Sequence, residues 1–463
     1  MSNRQFLKSP AELRLSRIPT TGVRSKCQQL IEQTSGIIEL EPEFVPRDFL
    51  PPGNRLGVVL SDQTAYGPIR GKLAERWIGS DTSCDNGPMT LAHEGISKAR
   101  LGSQLIPLTV LLQEFGQDLL GHLWGIFGGP HLGYYNKYFD FGHPIFHHLH
   151  QKSGDAWIGD KPSMIGKVCV GKHEGYEHLQ PRNTARPMGD QNHTFFGLRH
   201  DVTHYMLAEA LEAWFSADNG ILSLSQGAQM LSSRLNWFIP SGYLHAPGSE
   251  LTMEPQEGTD VFSMEQNVIS GRGADIHLHA KNYDPAIRGN IDAMAKKIDL
   301  TLNKRPATDF MIVPSIRAQG KGWVESWRIY GTDPDQGYVP FVLTKTTLAP
   351  GASVIFSGET LHNVICTEGH GTIGTENDSH TFQIQAPSCF YFGRRSQDEY
   401  LITADRAKSG VKYVNTGNTP LVVYRCFGRD SFPVNILPKV GSMIVGLAPT
   451  DVEQAENKIY LAC

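Results

Sequence analysis

The sequence predicts a mainly β protein built as two barrel- or sandwich-like domains with only a few helices. Three observations carry this. At 463 residues the chain is longer than one hydrophobic core usually supports. Its 47 glycines and 28 prolines mostly stand singly between short apolar runs, the punctuation of many short strands joined by turns. That punctuated text occurs twice, from Tyr134 to Ile269 and again from Phe341 to Phe427, on either side of a more polar stretch. Strands at such short spacing indicate sandwiches or barrels.

Taken in order, residues 1–55 read as a mobile arm and connecting segment, with Pro42, Pro46, Pro51 and Pro52 opposing a helix near its end. The first domain spans 56–275. Within it Leu105 to Leu112 is strongly apolar but too short for pattern to separate helix from strand. A short helical insert is expected at about 199–216, where Leu207, Leu211 and Trp214 recur at i, i+4 and i+7. Residues 276–335 read as a polar connector with a helix near Asp292 to Leu300. The second domain and C-terminal tail span 336–463. There Leu348-Ala-Pro-Gly351 ends one strand, Gly369-His-Gly371 turns another, and Val414 to Pro420 turns before the apolar run Leu421 to Tyr424. The halves show no close internal repeat.

Composition narrows the function classes. A net charge of -5 offers no electrostatic reason to expect a nucleic-acid partner. Residues Met1 to Thr20 lack the apolar core of a signal peptide, and Leu105 to Leu112 is too short to cross a bilayer. Seven scattered cysteines with no CxxC pair argue against a disulfide framework or a thiolate zinc site. The expectation is a cytoplasmic protein with no membrane partner.

Histidine is unevenly spread: 11 of the 18 lie between His122 and His204. The strongest local feature is His147-His148-Leu149-His150. Alternate residues of a strand share a face, so His148 and His150 can converge on one cation. Glu174, in Gly171-Lys-His-Glu174, is a candidate third ligand. His245, delivered by the turn Phe238-Ile-Pro-Ser-Gly-Tyr-Leu-His245, is a candidate fourth. Three histidines and a carboxylate suit zinc, manganese, iron or nickel. Spacing alone misleads elsewhere. His277-Leu-His279 has no downstream partners, and His200 and His204 lack the glutamate of the metalloprotease pattern.

The order His-x-His, Lys-x-Glu, Pro-x-Gly-x-x-His resembles that of type I phosphomannose isomerases, which are zinc-dependent cupins. The matching text is His148-Leu-His150, Lys172-His-Glu174 and Ile239-Pro-Ser-Gly-Tyr-Leu-His-Ala246. Ala74-Glu-Arg-Trp-Ile-Gly79, Leu119-Leu-Gly121 and Phe196-Gly-Leu-Arg199 are weaker matches. The resemblance covers about residues 55 to 270. It implies two double-stranded β-helix (cupin, or jelly-roll) barrels per chain. It also implies one divalent metal, zinc first, on His148, His150, Glu174 and His245, with His148 where the family has Gln. The implied activity is isomerisation of an aldose to a ketose, on a sugar or sugar phosphate.

Lys172 matches the family's lysine and is a candidate oxyanion donor or proton shuttle, and Glu254 matches a family glutamate and is a candidate base. Lys152, soon after His150, is a candidate for holding an anionic substrate. The departures count too. Where the family carries a catalytic arginine this chain has Ser270, with Arg272 two residues on. A displaced arginine weakens the case for a 6-phosphate. Two other readings stand beside the isomerase: a metal-dependent cupin oxygenase, and a non-catalytic sugar-binding bicupin. In the second half His362, His370, His380 and Glu368 do not repeat the ordered pattern, so that barrel is expected to be metal-free and structural. The expected partners are a small carbohydrate and a second copy of the chain in a homodimer.

Overall fold

The computed structural model describes residues 22–41, 43–47, 73–81, 95–132, 134–140, 144–151, 157–158, 161–162, 164–165, 168–169, 174–177, 203–206, 208–209, 250–252, 292, 296, 311–312, 314–330, 341–386, 397–428, 431–432 and 451–461. The strands between 137 and 177 and at 250–252 are described by their backbone alone.

Among the described residues strands dominate, and every ladder is antiparallel. The first are β1 (Ile37–Glu41), β2 (Glu43–Arg47), β3 (Leu73–Ile78), β4 (Lys98–Leu101), β5 (Gln104–Pro107), β6 (Tyr134–Asp140) and β7 (Pro144–Gln151). Two small ladders follow, β8 (Trp157–Ile158) with β9 (Lys161–Pro162), and β10 (Met164–Ile165) with β11 (Val168–Cys169). Next come β12 (Glu174–Glu177), β13 (Glu250–Thr252), β14 (Met311–Ile312), β15 (Ser315–Gly320) and β16 (Trp323–Tyr330). The C-terminal half ends with β17 (Phe341–Leu348), β18 (Ser353–Phe356), β19 (His362–Glu368), β20 (His370–Thr375), β21 (Thr381–Gln385), β22 (Glu399–Ile402), β23 (Val411–Asn415) and β24 (Leu421–Gly428).

The last eight strands form a jelly roll. Their pairs are those of one long hairpin: β17 with β24, β18 with β23, β19 with β22, β20 with β21. Pairing of β19 with β24 and of β20 with β23 rolls that hairpin into two facing sheets. The expected double-stranded β-helix is therefore present here as a strand order. The first half contributes a seven-stranded antiparallel sheet, ordered β14-β13-β12-β7-β6-β3-β2. Pro46 lies in β2, an edge strand of that sheet, which is where proline is tolerated.

One sheet of the roll continues past its barrel, in the order β15-β16-β17-β24-β19-β22-β1-β4-β5. Two expectations change here. The arm expected over 1–55 contains a helix, Val23–Thr34, and a strand, β1, that pairs with β22 on one side and β4 on the other. Prolines oppose a helix but not a neighbouring strand, and Ile37-Ile-Glu-Leu-Glu41 is apolar enough to be buried there. The polar connector expected over 276–335 contains the hairpin β15–β16, which is part of the second barrel's sheet. It reads as polar because its inward side carries charges, described below.

The two faces of this sheet make two cores. Inside the roll, Val354, Val364, Cys366, Ile373, Ile384, Tyr400, Val411, Leu421 and Val423 pack together. On the opposite face Leu343, Ile365, Leu401, Val422, Tyr424 and Cys426 pack against the helix Leu108–Leu120 and its neighbour Leu123–Phe127. The ambiguous run Leu105 to Leu112 is thus both: strand through Pro107, helix from Leu108. That helix buries Leu108, Leu111, Leu112, Leu119 and Leu120 and stops at Gly121, whose φ of +57° suits glycine.

The C-terminal helix Asp451–Leu461 is fastened to the roll by Lys345, whose Nζ lies 2.9 Å from Glu456, and by Tyr460, whose hydroxyl donates to Glu368 at 2.7 Å. Within the expected insert, residues 204–206 and 208–209 are helical, as are 292 and 296 in the expected connector helix. No helix among the described residues is long and apolar enough to cross a membrane.

Candidate functional site

The first sheet carries three of the four expected metal ligands on adjacent strands. Strand β7 lies between β6 and β12, and β12 between β7 and β13. The register sets Glu174 across from His150, and Tyr176 across from His148. On the other side of β7, His150 faces Tyr135 in the register and His148 faces Lys137. Strand β13 pairs Gly175 with Thr252 and Glu177 with Glu250. The remaining candidates, His245, Lys152, Lys172 and Glu254, lie outside the described residues, as do His200, His277, His279, Ser270 and Arg272.

The motif Ala74 to Gly79 acquires a local reason. It forms β3 and ends at Gly79, whose φ is +59°. A Cβ there would fall 2.0 Å from Nδ2 of Asn363, so the close approach of β19 demands glycine.

The second barrel holds a polar constellation that the sequence reading missed. Its inward residues form rows across the sheet: Trp327–Thr344–Arg425–Val364–Tyr400, and beside it Val342–Phe427–His362–Ile402. Arg425 is fully buried. Its guanidinium donates to Glu325 on β16 and to Glu359 in the loop before β19. Arg317 bridges the same two carboxylates, at 2.9 Å from Glu325 and 2.7 Å from Glu359. Thr346 also donates to Glu325, at 3.1 Å. Aromatic rings wall the cluster. Arg425 lies over Phe356 at 3.8 Å, and Arg317 over Trp327 at 4.7 Å and Phe432 at 5.3 Å.

His362 belongs to this cluster. Its Nδ1 is 2.8 Å from the Thr360 carbonyl, which only accepts, so Nδ1 carries the proton. Its ring rests on Phe427, with centroids 4.5 Å apart. Burial, then the Arg425 charge, lowers its pKa to about 3, so it is neutral in the native protein. Burial raises the Tyr413 hydroxyl well above the usual phenol range, and the nearby carboxylates raise it while Arg425 lowers it. Arg425 itself is held charged: its two carboxylate partners outweigh the cost of burial. His370 is exposed and His380 sits in a turn beside Ser379, so neither joins His362.

Comparison with known proteins adds the following. No family model and no curated protein matches the chain. Among solved structures it is similar to a phosphomannose isomerase variant from Salmonella typhimurium. That match has 12% identity and a TM-score of 0.42, over 85% of this chain and 99% of the other. It is also similar to an oxalate decarboxylase variant from Bacillus subtilis, with 18% identity and a TM-score of 0.19 over 25% of this chain and 28% of that one. The polyketide cyclase RemF from Streptomyces resistomycificus shares 16% identity at a TM-score of 0.19, over 25% of this chain and 73% of the cyclase.

Proposed function

We propose that the chain is a metal-dependent aldose–ketose isomerase acting on a sugar or sugar phosphate. Its metal would be held in the first domain by His148, His150, Glu174 and His245. The observation that carries this reading is the β7–β12 register, which sets Glu174 directly across from His150, with His148 two residues along the same strand. Residues directly opposite in an antiparallel pair have Cβ atoms about 5 Å apart, close enough to share one cation. The donor set also fits, since imidazole nitrogens and a carboxylate are ordinary ligands of zinc and of other first-row divalent metals.

A bound divalent metal with an open coordination position would polarise the substrate's carbonyl and hydroxyl oxygens. The chain's own groups then have separate tasks. Glu254 would take the proton from the carbon beside the carbonyl and return it to the neighbouring carbon. Lys172, two residues before Glu174, would donate to the oxygen on which negative charge develops. Lys152, next after the end of β7, would hold an anionic group if the substrate carries one.

The test is solvent-deuterium exchange by NMR, with metal-loaded protein and a panel of aldoses, ketoses and their 6-phosphates in heavy water. Deuterium at C1 or C2, lost in Lys172→Met while metal content is kept, supports the isomerase. Oxygen uptake with no exchange and no isomer formed would move the site to oxygenase chemistry.

A further inference from the structure

We propose that the charged end of the second barrel is a binding site for a small neutral polyhydroxy compound, separate from the metal site of the first domain. The proposal does not rest on the isomerase reading. It rests on four buried side chains around the Arg425 cluster, each with a polar atom that has no hydrogen-bond partner among the described residues. These atoms are His362 Nε2, Tyr413 Oη, Thr344 Oγ1 and Arg425 Nε. All four residues are 1% exposed or less. Native proteins seldom leave such atoms unsatisfied, and several around one cluster mark a place suited to a hydrogen-bonding ligand.

The four atoms lie close to the same charges. Thr344 and Arg425 are direct register partners, and Phe427, the partner of His362, is two residues from Arg425 on the same strand. Tyr413 comes from β23, in the facing sheet, and meets the cluster through Phe356, with ring centroids 6.1 Å apart. The groups therefore span the barrel from one sheet to the other. A single water makes only about two to four hydrogen bonds at one point, and suits such a spread poorly.

Charge and proton positions set the ligand class. Arg317 and Arg425 are balanced by Glu325 and Glu359, and His362 is neutral, so the cluster has no net charge to offer an ion. His362 Nε2 needs a donor, because Nδ1 already carries the proton. Arg425 Nε needs an acceptor, and the two hydroxyls take either role. A molecule with several hydroxyl groups meets all of these demands. A carboxylate cannot donate to His362, and a cation cannot accept from Arg425. Arg317, with 19% of its side chain exposed, stands at the solvent side of the cluster and is the group that would move to admit a ligand.

The experiment is isothermal titration of the full-length protein with glycerol, myo-inositol, mannose and fructose, and with acetate and gluconate as charged controls. It is repeated on His150→Ala, so that binding at the proposed metal site is separated out. The expected result is binding of at least one neutral polyol that persists in His150→Ala. It should weaken about tenfold in Tyr413→Phe or in Thr344→Val, each of which removes a single hydroxyl. Two variants are used so that poor folding of one leaves the other informative. No polyol binding, binding unchanged in both hydroxyl variants, or preference for the charged controls would each overturn the proposal.

Discussion

Arg425→Met should be among the most damaging single substitutions in the second barrel, and its cost can be worked from the contacts. The side chains of Arg425 and Glu325 are 0% exposed and that of Glu359 is 2% exposed. Methionine fills much of the volume but leaves two buried carboxylates facing the single guanidinium of Arg317. Breaking a buried ion pair by deleting one partner costs about 3–5 kcal/mol. Loss of the stacking on Phe356 adds about 0.5–2 kcal/mol. The sum, about 3.5–7 kcal/mol, is a large share of a typical domain stability of about 5–15 kcal/mol. Urea unfolding followed by tryptophan fluorescence is a suitable assay, because Trp323 and Trp327 lie on β16 on either side of Glu325. The midpoint should fall by roughly 1–2 M or more. Adding Glu325→Gln should recover at least half of the loss, since one carboxylate, Glu359, then remains opposite Arg317. A loss below about 1 kcal/mol, or no recovery in the double variant, would refute the view that charge balance holds this end of the barrel together.

Three further outcomes are expected. His362 has its pKa lowered from 6.5 to about 3, so between those values the unfolded chain binds a proton that the native state refuses. This stability is complete above pH 6.5 and is lost as pH falls toward 3, by on the order of several kcal/mol; His362→Gln should flatten that part of the acid-unfolding curve. Gly79→Ala should cost roughly 2–4 kcal/mol in thermal or urea unfolding, from left-handed backbone strain and the clash with Asn363. His150→Ala should strip most bound metal in elemental analysis while leaving urea unfolding of the second barrel unchanged; full occupancy would remove His150 from the proposed ligand set.

What the sequence showed depended on whether the relevant residues were near one another in the chain. The turns after Leu348, Glu368 and Asn415 were legible because each carries its own glycine or proline beside a strand. The spacing of His148 and His150 was legible for the same reason, although only strand pairing could set Glu174 across from His150. The hairpin β15–β16 was hidden by Arg317 and Glu325, because in a sequence a charge reads as solvent-facing. Nothing local reveals that Arg425, 100 residues after Glu325, neutralises it inside the barrel.

That concealment follows from how the roll is closed. Among the described strands β24 is the last to be made, yet it lies at the centre of the sheet, between β17 and β19. Arg425 therefore meets Glu325 and Glu359 only when the long hairpin is rolled up. Until then both carboxylates are stable only in water, and an alternative pairing of β24 would bury Arg425 without them. A slip by one residue would turn Arg425 outward and bring Tyr424 or Cys426 into the cluster. The Arg–Glu network thus ties the register of the closing strand to charge neutrality, which a purely apolar interior would not do. Set between the apolar core around Val364, Leu421 and Val423 and the aromatic group of Trp327, Phe427 and Phe432, the network lets one barrel carry both a hydrophobic foundation and a region of balanced charge.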